Sequence, residues 1–346
     1  MKIKVQTKNG EFECDSEQGE ILLYAALRHG LNLPYECATG TCGTCRARVR
    51  DGDINHQWVD APGLSFVNQE KNELLLCRST AKGDCTLRVP AKVSEDPHDK
   101  TRPGYRKGEI KAFRELTHDV VSFDVVIDAP MSFDAGQFAV LDAADVTGGR
   151  AYSMVNYAAA ETLNFVVKRK PDGKFSDWLF DNDVVGMGVD VFGPLGKATF
   201  HAHEKKNILC IAGGSGIAGM VSIIARGCDE SHFSEHKGHV FFGVRGARDV
   251  FFLDEFSSYV EAYPENLDVT VALSDEDVPA DLKNRYPMIK FETGFVHAVT
   301  SEKMADKYDN ILAYVAGPPP MVDGALRMLV LEARLHGTDI RYDKFG

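Results

Sequence analysis

The chain has 346 residues, too many for one ordinary hydrophobic core, and this predicts two or three domains. Its 44% hydrophobic and 26% charged content is that of a soluble globular protein, and no apolar run approaches the roughly 20 residues of a membrane span. A net charge of −12 without any Lys/Arg run excludes an ordinary nucleic-acid binder.

The charge is uneven. Residues 1–93 carry 12 basic and 12 acidic side chains, 94–203 carry 12 and 17, and 204–346 carry 15 and 22. The first segment is therefore not a strongly acidic free carrier. Its opening run, Met1 to Gln6, alternates like a strand and lacks the apolar stretch of a signal peptide, so a cytoplasmic location is expected. In that compartment the eight cysteines are not expected to form disulfides. Cys37, Cys42, Cys45 and Cys77 form one group. Cys14, Cys85, Cys210 and Cys228 are scattered and read as small buried hydrophobes.

In chain order, Lys2–Thr7 and Glu11–Cys14 read as a hairpin around Asn9-Gly10. Ile21–Arg28 has helical spacing and stops at Gly30. A glycine-rich cysteine loop follows, then strands at Thr44–Arg50 and Cys85–Val89. The polar run 94–107, with prolines at 97 and 103, reads as a linker. Short strands at Val120–Ile127, Gln137–Leu141 and Asn164–Lys168, with a helix at Phe175–Phe180, predict a small antiparallel barrel over 108–203. From 204 on, strands at Ile208–Ala212, His239–Val244, Leu267–Leu273 and Ile311–Ala316 alternate with helical stretches. That is the pattern of parallel βαβ units.

Cys37-Ala-Thr-Gly-Thr-Cys42-Gly-Thr-Cys45 with Cys77 is C-x4-C-x2-C plus a distant fourth cysteine. A [2Fe–2S] cluster takes two thiolates per iron, and a loop holding three of them must wrap closely, which Gly40 and Gly43 permit. A structural zinc site usually has two separated C-x2-C pairs, and only one such pair exists here. Over residues 1–90 the loop resembles that of plant-type ferredoxins. The resemblance implies a β-grasp fold over 1–93 and a one-electron centre near about −400 mV.

Arg150-Ala151-Tyr152-Ser153 lies a dozen residues after Gly136-Gln137-Phe138, and Gly173-Lys174-Phe175-Ser176 opens the helix beyond it. A helix N-terminus with free amides suits a pyrophosphate. Together these segments resemble the flavin domain of the ferredoxin–NADP reductase superfamily. That resemblance implies FAD, with Arg150 on the flavin phosphate, Tyr152 packed on the isoalloxazine and Ser153 near N5. It also implies backbone contacts from Val166, Val167 and Lys168, and a pyrophosphate held by Gly173, Lys174, Phe175 and Ser176.

The strand Asn207–Ala212 runs into Gly213-Gly214-Ser215-Gly216-Ile217-Ala218-Gly219. The glycines satisfy G-x-G-x-x-G, but the acid expected at the end of the next strand is missing, for that strand ends Gly243-Val244-Arg245. The loop instead resembles the superfamily's G-G-x-G-I-A-P, with Gly219 in place of proline. Phe241 to Asp249 resembles F-[YF]-G-x-R-x-x-x-D, which places Arg245 and Asp249 near the adenosine. Ala316-Gly317-Pro318-Pro319-Pro320-Met321 resembles C-G-P-P-P-M with Ala316 replacing cysteine, and implies nucleotide contacts from Gly317, Pro318 and Met321. The terminal Tyr342-Asp343-Lys344-Phe345 resembles the family's aromatic end, with Phe345 near the flavin against the alternative of ordinary terminal packing. Tyr152, Ser153 and Phe345 are thus the candidate catalytic residues. NADH is expected over NADPH, since Asp249 would repel a 2′-phosphate that Arg248 could meet.

The order of ferredoxin, flavin barrel and nicotinamide domain resembles the reductase components of bacterial multicomponent oxygenases. Asp60-Ala61-Pro62-Gly63-Leu64 resembles the toluene and xylene monooxygenase reductases in particular. The resemblance implies electron flow from NADH through FAD and the cluster to a terminal oxygenase or an intermediary ferredoxin, with a diiron hydrocarbon monooxygenase as the expected recipient. The alternatives are the reductase of a Rieske-type dioxygenase, a sugar-deoxygenation reductase and a redox-sensing binding module. A membrane sodium-pump subunit of similar layout is excluded by the lack of a membrane-spanning run.

Overall fold

A computed structural model describes residues 1–96 and 100–344. Three sheets follow one another along the chain. In the first, β1 (Lys2–Gln6) and β2 (Glu11–Asp15) form the expected hairpin. They join β3 (Arg46–Asp51), β5 (Glu73–Leu75) and β7 (Cys85–Arg88) in the order β2-β1-β7-β3-β5. A separate pair, β4 (Ile54–His56) and β6 (Ser79–Ala81), lies beside it. The alternation in β1 buries Ile3 and Val5 on one face, and α1 (Leu22–Arg28) belongs to the same hydrophobic core. α1 is buried on nearly every side because the next domain covers it too. Tyr24 stacks on Phe192 with ring centroids 4.2 Å apart.

The second sheet contains β8 (Gly104–Thr117), β9 (Val120–Met131), β10 (Phe138–Ala143), β11 (Arg150–Ser153), β12 (Ala160–Lys168) and β13 (Gly188–Leu195). Its strands are antiparallel, in the order β11-β10-β13-β8-β9-β12. A bridge between Met154 and Phe165 brings the two outer strands together and curls the sheet toward a barrel. β8 begins inside the run read as linker, because Gly104–Lys107 pair with Asp190–Gly193. Residues 97–99 of that run lie outside the described residues. Helix α2 (Lys174–Asp181) connects β12 to β13.

The third sheet is parallel throughout, in the order β17-β16-β15-β14-β18-β19. It comprises β14 (Asn207–Gly213), β15 (Gly238–Val244), β16 (Leu267–Leu273), β17 (Lys290–Thr293), β18 (Ile311–Gly317) and β19 (Ile340–Lys344). Helices α3 (Ile217–Asp229), α4 (Leu253–Ala262), α5 (Ala280–Arg285), α6 (Val296–Lys303) and α7 (Pro319–Leu331) connect them. Both faces are covered, which is why β14 and β18 read as unbroken apolar runs. Ile208, Cys210 and Ala212 pack with α3 and α4, while Leu209 and Ile211 pack with α6 and α7. The chain reverses direction across the sheet between β14 and β18, where open α/β sheets bind ligands at the carboxyl ends of their strands. No helix among the described residues is long and apolar enough to cross a membrane.

Candidate active site

The cysteine loop turns back on itself through left-handed residues at Ala38, Gly40 and Gly43. A Cβ at Gly40 would lie 2.9 Å from the Arg78 side chain, and one at Gly43 would lie 2.7 Å from Phe66. Glycine is therefore required twice by space as well as by backbone angle. The four thiols gather as two pairs. Cys45 Sγ lies 3.3 Å from Cys77 Sγ, and Cys42 donates a hydrogen bond to Cys37. The Thr39 and Thr41 amides each donate to Cys37 Sγ at 3.4 Å. The Cys42 contact and these threonines hold the Cys37 thiol below the ordinary thiol range, favouring a thiolate. Two sulfur pairs beside inward-facing amides fit two thiolates per iron, and all eight cysteines are free of disulfides.

Arg150 opens β11. Its Nη1 donates to Gly148 O at 2.8 Å and Gly149 O at 3.1 Å. Burial, and then the charge of Arg78, lower its pKa. Tyr152 rests against the buried ring of Phe175, with centroids 5.3 Å apart. Phe175 thus supports the tyrosine from α2, whereas the sequence placed it in a pyrophosphate loop. Ser176 is likewise occupied, donating to Gly173 O at 2.9 Å and accepting from Lys170 N at 3.1 Å. Its hydroxyl fastens the turn, and what the turn offers an anion is the amides at the start of α2 and the exposed Lys174.

Val166 and Val167 are buried on β12, and Lys168 pairs with Asp119 at 2.5 Å. The flavin-motif strands meet the glycine loop directly. A Cβ at Gly214 would lie 3.9 Å from Lys168, and one at Gly219 would lie 3.4 Å from Ser153. The position where the family has proline therefore has ordinary room for a side chain here. Ser222 of α3 fastens the junction, accepting from Gly136 N and donating to Asn156 O.

The two nucleotide motifs also meet. Ala212 pairs with Ala316 across β14 and β18. A Cβ at Gly216 would lie 2.6 Å from Ala316 O, and one at Gly213 would lie 3.1 Å from Met321 and 3.2 Å from Pro318. Ser215 sits in the short turn Gly214–Gly216 that precedes α3. Gly317 adopts φ 149°, and a Cβ there would lie 2.5 Å from Met321.

Asp249 does not face outward as the charge argument assumed. It is buried, its carboxylate accepts from Gly246 N at 3.0 Å, and its other oxygen lies 3.8 Å from His118 Nδ1. Arg245 and Arg248 are exposed beside it. The carboxylate that reaches this loop is Glu276, which accepts from Ala247 N at 2.5 Å. Nothing in the local sequence marks Glu276, since it follows β16 and meets the loop after β15 only through the parallel pairing of those strands. Phe345 lies outside the described residues.

The domains share one further space. A cavity of about 910 Å³ is lined by Thr39 and Thr41 of the cysteine loop together with Arg150, Gly173 and Lys174. Trp58 and Arg78 of the first domain line it as well. Pro319 of α7 lines it too, so all three domains converge here, and Tyr342 of β19 donates to Glu36 beside the cysteine loop at 3.3 Å.

Fold and site define a three-domain oxidoreductase that joins an iron–sulfur domain to a flavin- and nicotinamide-binding unit. Residues 3–82 match the 2Fe-2S iron-sulfur cluster binding domain, 107–200 the oxidoreductase FAD-binding domain and 210–327 the oxidoreductase NAD-binding domain. The chain is 35% identical to a ferredoxin–NAD(P)(+) reductase of Metapseudomonas resinovorans, covering 90% of this chain and 91% of the relative. It is 34% identical to the ferredoxin–NAD(+) reductase component of the alkene monooxygenase system of Xanthobacter autotrophicus, covering 96% and 97%. Among solved structures it resembles the ferredoxin reductase in carbazole 1,9a-dioxygenase, with TM-score 0.82, 30% identity and coverage of 100% and 99%. The chain belongs to this family of ferredoxin–NAD(P)(+) reductases, and it binds a [2Fe–2S] cluster, FAD and a pyridine nucleotide.

Proposed function

We propose that this protein takes hydride from NADH and delivers electrons singly, through its iron–sulfur domain, to the terminal component of a hydrocarbon monooxygenase. The observation that carries this reading is the cavity lined by both Thr39 and Thr41 of the cysteine loop and Arg150 of the flavin motif. Flavin, when bound, accepts a hydride and releases single electrons to a one-electron cluster. In this reading Cys37 and Cys42 hold one iron, and Cys45 and Cys77 the other. Arg150 and the amides at the start of α2 bind the flavin phosphates, while Tyr152, backed by Phe175, orients the ring system. Gly213 to Gly216 and Gly317 to Met321 hold the nucleotide between β14 and β18, and Ser153 lies at the junction where the two sites meet.

A cytoplasmic location suits the eight free thiols. The alkene monooxygenase relative supports a monooxygenase partner, and the likeness to the carbazole dioxygenase reductase supports a second reading with a dioxygenase as recipient. Reconstitution separates them. NADH-driven product formation is expected with a purified diiron hydroxylase. Product only with a Rieske-type oxygenase overturns the first reading in favour of the second.

The preference for NADH rests on Glu276, a carboxylate hydrogen-bonded into the loop that carries Arg245 and Arg248. A 2′-phosphate there would meet its charge at close range. Glu276→Gln keeps an acceptor for Ala247 N and removes the charge. NADPH kcat/KM is expected to rise roughly five- to tenfold, the scale of one partly screened charge, with NADH kcat/KM little changed. An unchanged ratio of the two would remove Glu276 from coenzyme selection.

A further inference from the structure

We propose that Arg78, a residue of the iron–sulfur domain, is a second phosphate-binding group for FAD, so that the flavin site is assembled across two domains. The proposal rests on the FAD reading of the cavity and extends it to a residue outside the flavin motif. Arg78 is buried, with 8% of its surface exposed, and follows Cys77 directly. Its Nε and Nη2 donate to Thr39 O at 2.8 and 2.5 Å, and Nη2 also reaches Gly149 O at 3.2 Å. The guanidinium therefore spans from the cysteine loop to the residue before Arg150. Both arginines lie against one aromatic ring, with their guanidinium carbons 5.3 and 5.7 Å from the centre of Trp58.

The charge balance of the cavity favours an anion. Arg78, Arg150, Lys170 and Lys174 line it, and none has an ion-pair partner among the described residues. Four carboxylates line it too, but Glu20 is paired with Arg28 at 2.6 Å and Asp190 with Lys107 at 2.7 Å. Asp172 is exposed. Asp142, its pKa raised by burial and Asp190 but lowered by Arg78 and Arg150, is the one lining carboxylate whose charge acts on both arginines, without an ion-pair contact to either among the described residues. Two guanidiniums held near one another in a partly desolvated pocket repel, and carbonyl contacts offset this only in part. An anion with two charged groups relieves the repulsion, and a pyrophosphate offers oxygens to both forks at once. Arg78 also grips Thr39, whose amide donates to Cys37, so the same side chain ties the phosphate site to the cluster loop.

The test uses full-length, cluster-loaded protein stripped of flavin, titrated with FAD and separately with riboflavin by quenching of flavin fluorescence. Arg78→Gln retains amide donors for Thr39 O but carries no charge. Its FAD affinity is expected to fall about tenfold or more, the scale of a hydrogen bond to a charged group, while riboflavin binding and iron content match wild type. Arg78→Lys, which keeps the charge without the fork, should fall between the two. Wild-type FAD affinity in Arg78→Gln overturns the proposal. So does an equal loss for riboflavin, which would mean that Arg78 only holds the loop. Wild-type protein that takes up no FAD would overturn the reading of the whole cavity instead.

Discussion

Cys42→Ser is expected to abolish the one-electron outlet while leaving the hydride inlet intact. Cys42 is the only half-exposed member of the four clustered thiols, and its partner Cys37 is buried against the Thr39 and Thr41 amides. A serine hydroxyl is a far poorer iron ligand than a thiolate, so one iron loses half of its protein ligands. The other three clustered cysteines already hold iron in this reading, and the domain's two further cysteines, Cys14 and Cys85, are buried on β2 and β7. Wild-type protein should contain two irons and two labile sulfides per chain, with a rhombic paramagnetic signal on reduction. In Cys42→Ser that signal should vanish, and NADH-driven cytochrome c reduction should fall to background. With FAD supplied, ferricyanide reduction should stay near wild type, because Arg150, the start of α2 and the nicotinamide motifs lie outside residues 37–45. FAD affinity should fall only as far as the loop loosens its hold on Arg78 through Thr39 O. A variant that keeps two irons per chain would remove Cys42 from the ligand set. Unchanged cytochrome c reduction after loss of the cluster would show that the iron–sulfur domain is not the exit.

Local chemistry was legible in the sequence, and chemistry assembled from distant segments was not. The cysteine loop and the Gly213–Gly219 turn each place their residues within about ten positions, and their spacing alone implies the backbone shape they adopt. The parallel order of the third sheet was readable from buried apolar runs such as Ile208–Ala212. Arg78 left no such trace. Its contact with Gly149 spans 71 positions, and next to Cys77 it reads as one more basic residue. Glu276 was invisible for the same reason, since Ala247 lies 29 positions away. Asp249 shows the opposite failure. Its motif was recognised, but the short turn at Ala247–Asp249 brings its carboxylate back to cap Gly246, which a linear pattern does not reveal. Ser176 and Phe175 lie in the segment the flavin resemblance marks, but an amphipathic helix start does not say that their side chains turn inward, onto Gly173 O and Tyr152.

Arg150→Ala is expected to purify largely free of flavin while keeping its cluster. Arg150 is held by two backbone carbonyls and by no carboxylate among the described residues, so its positive charge is available to a ligand. A guanidinium is a permanent cation and can form two parallel hydrogen bonds with a phosphate. Removing it leaves a phosphate charge short of its main partner inside a partly desolvated cavity. The loss should be about 2–3 kcal/mol, or roughly 30- to 150-fold in FAD affinity. Relief of the repulsion between Arg150 and Arg78 opposes this, so the measured loss should lie toward the lower end of that range. The cluster should survive, since Arg150 meets the first domain through Trp58 and the charge of Arg78, and neither of those residues is a cluster ligand. Tyr152→Ala should behave differently. It removes ring packing and no charge, so flavin content should fall less, while hydride transfer slows as the support given by Phe175 is lost. FAD per iron, measured in both variants after identical purification, distinguishes charge from packing. Full FAD at wild-type affinity in Arg150→Ala would mean that the flavin phosphate is bound elsewhere, and equal losses in the two variants would mean that the strand has simply unfolded.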